Sequence, residues 1–434
     1  MHPLKEIFEG KIAGQKGVFS VCTANPMVIR AALSHAKENN YITVIEATAN
    51  QVNQFGGYTG MVPSDFMDMV QELRRETGLP EEQMILGGDH LGPLTWQHLK
   101  ENEAMDNSEA LVRAYTRAGF TKIHLDTSMR VADDDPDSPL SVEVCARRGA
   151  RLALAVMEEY SLRLRKNADA LRPVLVIGSE VPIPGGSQEF ESSITPTSPE
   201  EFRRQYLIFK DTFLKAGAPF QDVVAFVVQP GVEFGDDFAF QYDSTRANSL
   251  CEALKEFSPL VFEGHSTDYQ TAESLAGMVR DGIRILKVGP ALTFGLREGL
   301  LLLEECERQM DLKGDNLSDL RNTILNTMDK DDHHWKKYYQ GTPEEIRYKM
   351  LYSYSDRCRY YLPDPSVKEA IKRLLANTAH VPLALISQYF PRQYGKVVCG
   401  SIGDDGESLV LDRISDWISP YAAACGALTP GTGV

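Results

Sequence analysis

The chain has 434 residues, 43% hydrophobic and 24% charged, a globular composition with room for a barrel of about 250 residues and a substantial further region. A formal net charge of −16 argues against nucleic acid and anionic membranes as partners, because both would be repelled. The opening MHPLKEIFEG lacks the apolar stretch of a signal peptide, no run reaches roughly 18 apolar residues, and the seven cysteines are scattered without a CxxC pair, so a cytoplasmic protein with reduced thiols is expected.

Eight short β-rich runs follow in order: Gly17–Pro26, Tyr41–Thr48, Met84–His90, Lys122–Ser128, Val174–Val181, Val223–Pro230, Leu260–His265 and Ile283–Gly289. Amphipathic segments such as Pro26–Asn39, Ser64–Glu76, Ser108–Gly119 and Thr271–Asp281 separate them. Strand and helix in alternation make βαβ units and a parallel sheet, and eight units favour closure. No GxGxxG follows the first strand, which weakens a dinucleotide-binding reading. The predicted fold is an α/β (β/α)8 TIM barrel over residues 1–310. A helical C-terminal region, 311–434, is expected to pack on it, with helices at 315–328, 343–362, 365–377, 384–390 and 409–424 and a frayed tail from Leu428. It could cover the barrel mouth or form an interface between copies; the sequence leaves both open.

In barrel enzymes the carboxyl ends of the strands carry the chemistry. Here those ends hold Glu46 and Asn50, Asp89 and His90, His124 and Asp126, Glu180, Gln229, His265 with Ser266, Thr267 and Asp268, and Lys287 before Gly289. His124 and Asp126 share a face, whereas the adjacent Asp89 and His90 cannot both point inward from a regular strand. A lone histidine at a strand end is more often structural than a ligand. His90, Glu180 and His265 come from three strands, however, and could supply two imidazoles and a carboxylate to a divalent ion, Zn, Mn, Co or Ni, with a position left for substrate. Asp89 is the candidate general acid–base, its alternative role being to orient a ligand; Asp126 and Glu180 are further candidate catalytic carboxylates. Asn50, Gln229, Ser266, Thr267, Asp268, Lys287 and Gly289 are candidates for binding substrate, and the turns after the seventh and eighth strands are where barrels often hold phosphate. Asp331–Trp335 reads as a solvated helix edge, and Tyr352, Tyr354, Tyr360 and Tyr361 as an aromatic packing helix.

The motifs GGDHLGP at 87–93, HLDTSM at 124–129, IGSEVPIPGG at 177–186, FEGHSTDYQ at 262–270 and LKVGPALTFGLRE at 286–298, with HWKKYY at 334–339 and SQYFPRQY at 387–394, resemble the GatZ/KbaZ family across essentially the whole chain. Its members are called Z subunits of class II tagatose-bisphosphate aldolase, and some have been labelled tagatose-6-phosphate kinases. The family is similar in turn to catalytic class II aldolases, in which an Asp-His pair ends one strand and further His ligands end later ones. Asp89 and His90 match that pair, His265 matches a later ligand, and Glu180 stands where a second His would be. The resemblance implies metal-dependent aldol-type chemistry on a free or phosphorylated ketohexose. Epimerisation at C4 of fructose 6-phosphate to tagatose 6-phosphate is the leading reading. A non-catalytic partner of a class II aldolase subunit is the rival, and a homo-oligomer is compatible with either. No GxxxxGK[ST] loop supports a kinase.

Overall fold

A computed structural model describes residues 1–178, 194–310 and 316–428. All eight expected strands form, and they close into one parallel barrel. They are β1 (Val18–Cys22), β2 (Thr43–Thr48), β3 (Met84–Leu91), β4 (Lys122–Leu125), β5 (Val174–Ile177) and β6 (Val223–Val228), followed after a short antiparallel hairpin, β7 (Glu233–Phe234) and β8 (Ala239–Phe240), by β9 (Val261–Gly264) and β10 (Ile283–Val288). Around the barrel the order is β1-β10-β9-β6-β5-β4-β3-β2. The strands end earlier than several of the sequence runs because the run beyond each end is turn that leaves the ladder and lines the mouth. The hairpin was not expected; two residues per strand leave no alternation to read.

The helices obey the same local signals. Pro26–Asn39 starts at a proline behind the Asn25 cap, whose side chain accepts from Met27 and Val28 N–H, and it stops at Asn40 in the left-handed conformation. Helix Pro343–Tyr352 carries a Thr342/Glu345 capping box. It ends ten residues before the expected 362, where Ser353–Asp356 turns the chain into a short 3-10 segment, Arg357–Tyr360. Residues 331–335 are turn rather than helix edge, and His334 is half-buried.

Two apolar layers hold the barrel. Outside, helix faces pack on the outward strand residues, such as Phe19, Ile45, Ile123 and Phe262. Inside, Val44, Ile85, Val174, Val176, Val261 and Ile285 fill the amino-terminal half, and Leu4, Ile7 and Phe8 of helix Pro3–Phe8 join them from below. The interior is therefore dry at the bottom, and polar residues enter only toward the mouth. Beyond residue 310, helix Gly406–Ala424 packs against Pro290–Gln309, Ala272–Arg280 and Pro26–Asn39. No helix among the described residues is long and apolar enough to cross a membrane.

A candidate metal and acid–base site at the barrel mouth

Strand periodicity builds the site. On β2, β9 and β10 the inward residues Val44, Val261 and Ile285 are followed two positions on by Glu46, Glu263 and Lys287, and β9 continues two further to His265. β4 contributes Lys122 and His124 in the same way. The result is a charged storey above the apolar one. Lys122 Nζ lies 2.6 Å from both Glu46 Oε1 and Glu263 Oε2, and all three side chains are fully buried. Lys287 Nζ pairs with Glu46 Oε2 and lies 2.9 Å from Asp89 Oδ2. Gly87 makes room for this: a Cβ there would meet Glu46 Oε1 at 2.5 Å.

Asp89 and His90 both face this storey although they are neighbours. The strand achieves it by irregularity: His90 adopts φ 51°, and the β3–β4 register shifts between Gly88 and Leu91. A left-handed non-glycine residue costs roughly 1–2 kcal/mol, and such strain concentrates at functional sites. Asp89 Oδ1 accepts from His124 Nδ1 at 2.8 Å, and Cys22 Sγ approaches Oδ2 at 3.3 Å. His90 Nδ1 meets Asp126 Oδ2 at 2.8 Å, and Asp126 Oδ1 accepts from Ser128 Oγ at 2.6 Å, so Asp126 sets the ring of His90. His265 Nε2 meets Glu263 Oε1 at 2.9 Å.

The charges are strongly coupled. Burial alone would raise Asp89, but His90, His124 and His265 outweigh it and hold the carboxyl well below its usual range. Burial likewise opposes the charged form of His90, yet Asp89 and Asp126 carry it up to about 9. Burial pushes Lys287 down to about 8. Glu46, Asp89, Asp126 and Glu263 are four buried carboxylates against two buried ammonium groups, Lys122 and Lys287, and a protonated His90 supplies only one of the two positive charges missing. Buried charge of one sign needs a counter-charge.

A divalent cation suits this excess, and the donors suit the cation. One ligand atom each from Asp89, His124, Glu263 and His265 lie within 4.8 Å of one another. The rings of His90, His124 and His265 stand with centroids 5.0, 5.1 and 5.3 Å apart in pairs. His124 Nε2 is buried without a hydrogen-bond partner, an orphan that a metal would satisfy.

Of the ligands proposed from sequence, His265 is within the donor group and His90 stands beside it, held by Asp126. Glu180 lies outside the described residues. His124, noted only as sharing a face with Asp126, joins the donors. Glu263 and Lys122 were missed. The signal for Glu263 was its position two before His265 on one strand, and for Lys122 its position two before His124.

Above the storey opens a cleft lined by Asn50, Tyr58, Asp89, His265, Lys287 and Arg359 among others. Ser266, at φ 52°, and Asp268 and Gly289 also line it. Four of the residues proposed to bind substrate, Gln229, Thr267, Asp268 and Gly289, are otherwise engaged. Gln229 Oε1 accepts from Gly231 and Val232 N–H at 2.8 and 3.0 Å. Thr267 is fully buried and donates to Lys287 O at 2.7 Å. The N–H groups of Gly289 and Ala291, at the start of helix Pro290–Gln309, both donate to Asp268 Oδ1, at 3.1 and 2.8 Å. The phosphate cradle expected after β10 is thus filled by the protein's own carboxylate.

The C-terminal region supplies one wall of the cleft. Asp356 accepts from Arg297 Nε at 2.8 Å and Thr293 Oγ1 at 2.6 Å, and Tyr354 stacks on Tyr269 with ring centroids 4.2 Å apart. These contacts bring Arg359 and Tyr360 to the mouth. Tyr360, expected in a packing helix, instead lines the cleft and stacks on His334 at 4.7 Å. Burial opposes its ionisation, but Arg359 and Arg357 bring its hydroxyl below the usual phenol range.

A family model described as D-tagatose-1,6-bisphosphate aldolase subunit GatZ/KbaZ-like matches residues 4–426. A crystal structure described as a probable tagatose 6 phosphate kinase from Sinorhizobium meliloti 1021 is 39% identical, with a TM-score of 0.83 over 94% of this chain and 100% of that one. A fructose-bisphosphate aldolase from Campylobacter jejuni is 16% identical, with a TM-score of 0.45 over 86% of this chain and 90% of that one. The YdjI aldolase from Escherichia coli K12 is 11% identical, with a TM-score of 0.40 over 85% and 98%.

Proposed function

Since the chain belongs to the D-tagatose-1,6-bisphosphate aldolase subunit GatZ/KbaZ-like family, we propose that it is a metal-dependent ketose 6-phosphate C4 epimerase that interconverts fructose 6-phosphate and tagatose 6-phosphate. The observation carrying this reading is the assembled acid–base and donor set at the mouth: Asp89 within reach of His124 and Lys287, and Asp89, His124, Glu263 and His265 close enough to share one ion. In a 2-ketose, C4 is β to the carbonyl, so enolisation does not acidify its C–H bond. Without a redox cofactor, inversion requires the C3–C4 bond to break and re-form.

Asp89 takes the 4-hydroxyl proton as the C3–C4 electron pair moves toward the C2 carbonyl, leaving an enediolate and a three-carbon aldehyde. A bound divalent cation, Zn, Mn, Co or Ni, would supply Lewis-acid stabilisation of the negative charge on the substrate oxygens. Lys287 adds a second positive charge beside Asp89. The aldehyde turns over, its other face is attacked, and Asp89 returns the proton to the new 4-hydroxyl. Asp126 keeps the ring of His90 oriented throughout. The cleft must hold the aldehyde, because escape would make the net reaction a cleavage.

The test is turnover of fructose 6-phosphate by the purified chain alone, after chelation and reloading with each metal, with tagatose 6-phosphate and trioses resolved separately. Tagatose 6-phosphate without trioses is expected, and Asp89→Asn should abolish it while the protein stays folded. Undiminished turnover in that variant would remove Asp89 from the mechanism, and released trioses would make the protein an aldolase. The family description as an aldolase subunit favours a second reading, a non-catalytic partner. No product with any metal, together with a stable complex and a longer-lived activity of a class II aldolase subunit, would establish that reading instead.

A further inference from the structure

We infer that Arg359, contributed by the C-terminal region, is the anchor for the substrate's phosphate and so determines the preference for a phosphorylated over a free ketose. The inference rests on the proposed ketose-phosphate reading of the same cleft.

A phosphate at a barrel mouth ordinarily finds the start of the helix after the eighth strand. Here Asp268 occupies that place, with Gly289 and Ala291 N–H bound to Oδ1. Asp268 therefore closes those N–H groups to a phosphate, and the charge of Arg359 acts on the same Asp268 carboxyl. Among the described residues, the side chains of fixed positive type that line the cleft are Lys287 and Arg359. Lys287 is spent on Glu46 and Asp89. Arg359 therefore remains.

Its geometry suits the task. Nη1 donates to the carbonyl oxygens of Ser355 and Asp356 at 2.5 and 2.9 Å, and Nη2 to Tyr360 Oη at 3.1 Å. The guanidinium also lies 4.5 Å from the Tyr360 ring centroid. These contacts fix the plane and use three of the five N–H donors. The Nε–H and one Nη2–H remain, and no carboxylate of the described residues forms an ion pair with them. The same Nε/Nη2 edge grips oxyanions elsewhere in the protein: Arg117 holds Glu159 through Nε and Nη2 at 2.9 Å each, and Arg172 holds Asp222 through the same pair. A planar fork with a free edge matches a phosphate bidentately, which a lysine cannot do. The anchor also explains a use for the C-terminal region: among the described residues, it supplies the cleft's one cation without a carboxylate ion pair.

The test is calorimetric binding of fructose 6-phosphate, fructose and inorganic phosphate to the full-length protein, wild type against Arg359→Met and Arg359→Lys, with thermal midpoints as a check on folding. The wild type should bind fructose 6-phosphate roughly 10–100-fold tighter than fructose, the range of a charged hydrogen-bonded pair, and inorganic phosphate should compete with the former only. Arg359→Met should erase most of that advantage, Arg359→Lys part of it, and both should bind fructose within about twofold of wild type. An advantage retained in folded variants, or equal loss for both sugars, overturns the assignment. If Arg359→Met fails to fold, Arg359→Lys and the competition by inorganic phosphate in the wild type still decide. Binding needs no turnover, so an inactive protein that keeps the Arg359-dependent preference would refute the epimerase reading and leave the anchor standing.

Discussion

Replacing Lys122 by methionine isolates the charge balance inside the barrel. Methionine keeps the length and the apolar stem of the side chain but removes the ammonium that lies 2.6 Å from both Glu46 and Glu263. Glu46 is then left with Lys287, and Glu263 with His265 Nε2 at 2.9 Å. Removing one partner of a buried pair typically costs about 3–5 kcal/mol. Protonation sets a ceiling on the cost. Neutralising a carboxyl whose ordinary pKa is 4.5 costs about 3.4 kcal/mol at pH 7 and only about 0.7 kcal/mol at pH 5. Lys122→Met should therefore lose about 3 kcal/mol at pH 7, and most of the deficit should vanish by pH 5. The measurement is the urea midpoint of chelator-treated wild type and variant at both pH values, and adding Glu46→Gln and Glu263→Gln to the variant should restore stability at pH 7. A loss below about 1 kcal/mol, or one that does not change with pH, would show that Lys122 does not carry the charge compensation assigned to it.

Two further outcomes are expected. His35 is buried and hydrogen-bonded to Tyr41 Oη and Ser419 Oγ, and burial brings its pKa from 6.5 to about 4. Its contribution is fully present above pH 6.5. Below that the unfolded chain takes up a proton that the native one resists, so stability falls by up to about 3 kcal/mol as pH drops toward 4. His35→Gln should flatten the urea midpoint over that window, and parallel curves for variant and wild type would refute the linkage. Asp356→Ala leaves the Arg297 guanidinium, 2% exposed, without its carboxylate and should cost about 3–5 kcal/mol in urea unfolding. Asp356→Leu combined with Arg297→Met should recover most of it, and equal losses in the single and double variants would mean that packing, not charge, ties this segment to the barrel.

The barrel was legible because its signal is local. Each strand is a short apolar run cut off by glycine, proline or a polar group, and each helix has its own cap and stop, so element type followed from neighbours in sequence. The strand-end position of Asp89, His90, His124 and His265 was legible for the same reason: the last residues of a parallel strand reach the mouth whatever the remainder of the chain does. Glu263 and Lys122 obey the same alternation, but a charged residue inside a strand reads as surface until its partners are known. The partners of Lys122, Glu46 on β2 and Glu263 on β9, come together with it across the interior only when the barrel closes. His90 shows another limit. Strict alternation allowed only one of Asp89 and His90 to face inward, and a single left-handed residue admitted both. The sequence by itself determined the barrel, its family and which polar residues stand at the strand ends. Only the tertiary structure decided that Asp268 fills the helix terminus expected to take phosphate, and that Arg359, seventy residues beyond β10, reaches the same cleft. Both depend on distances between segments remote along the chain, which no local pattern encodes.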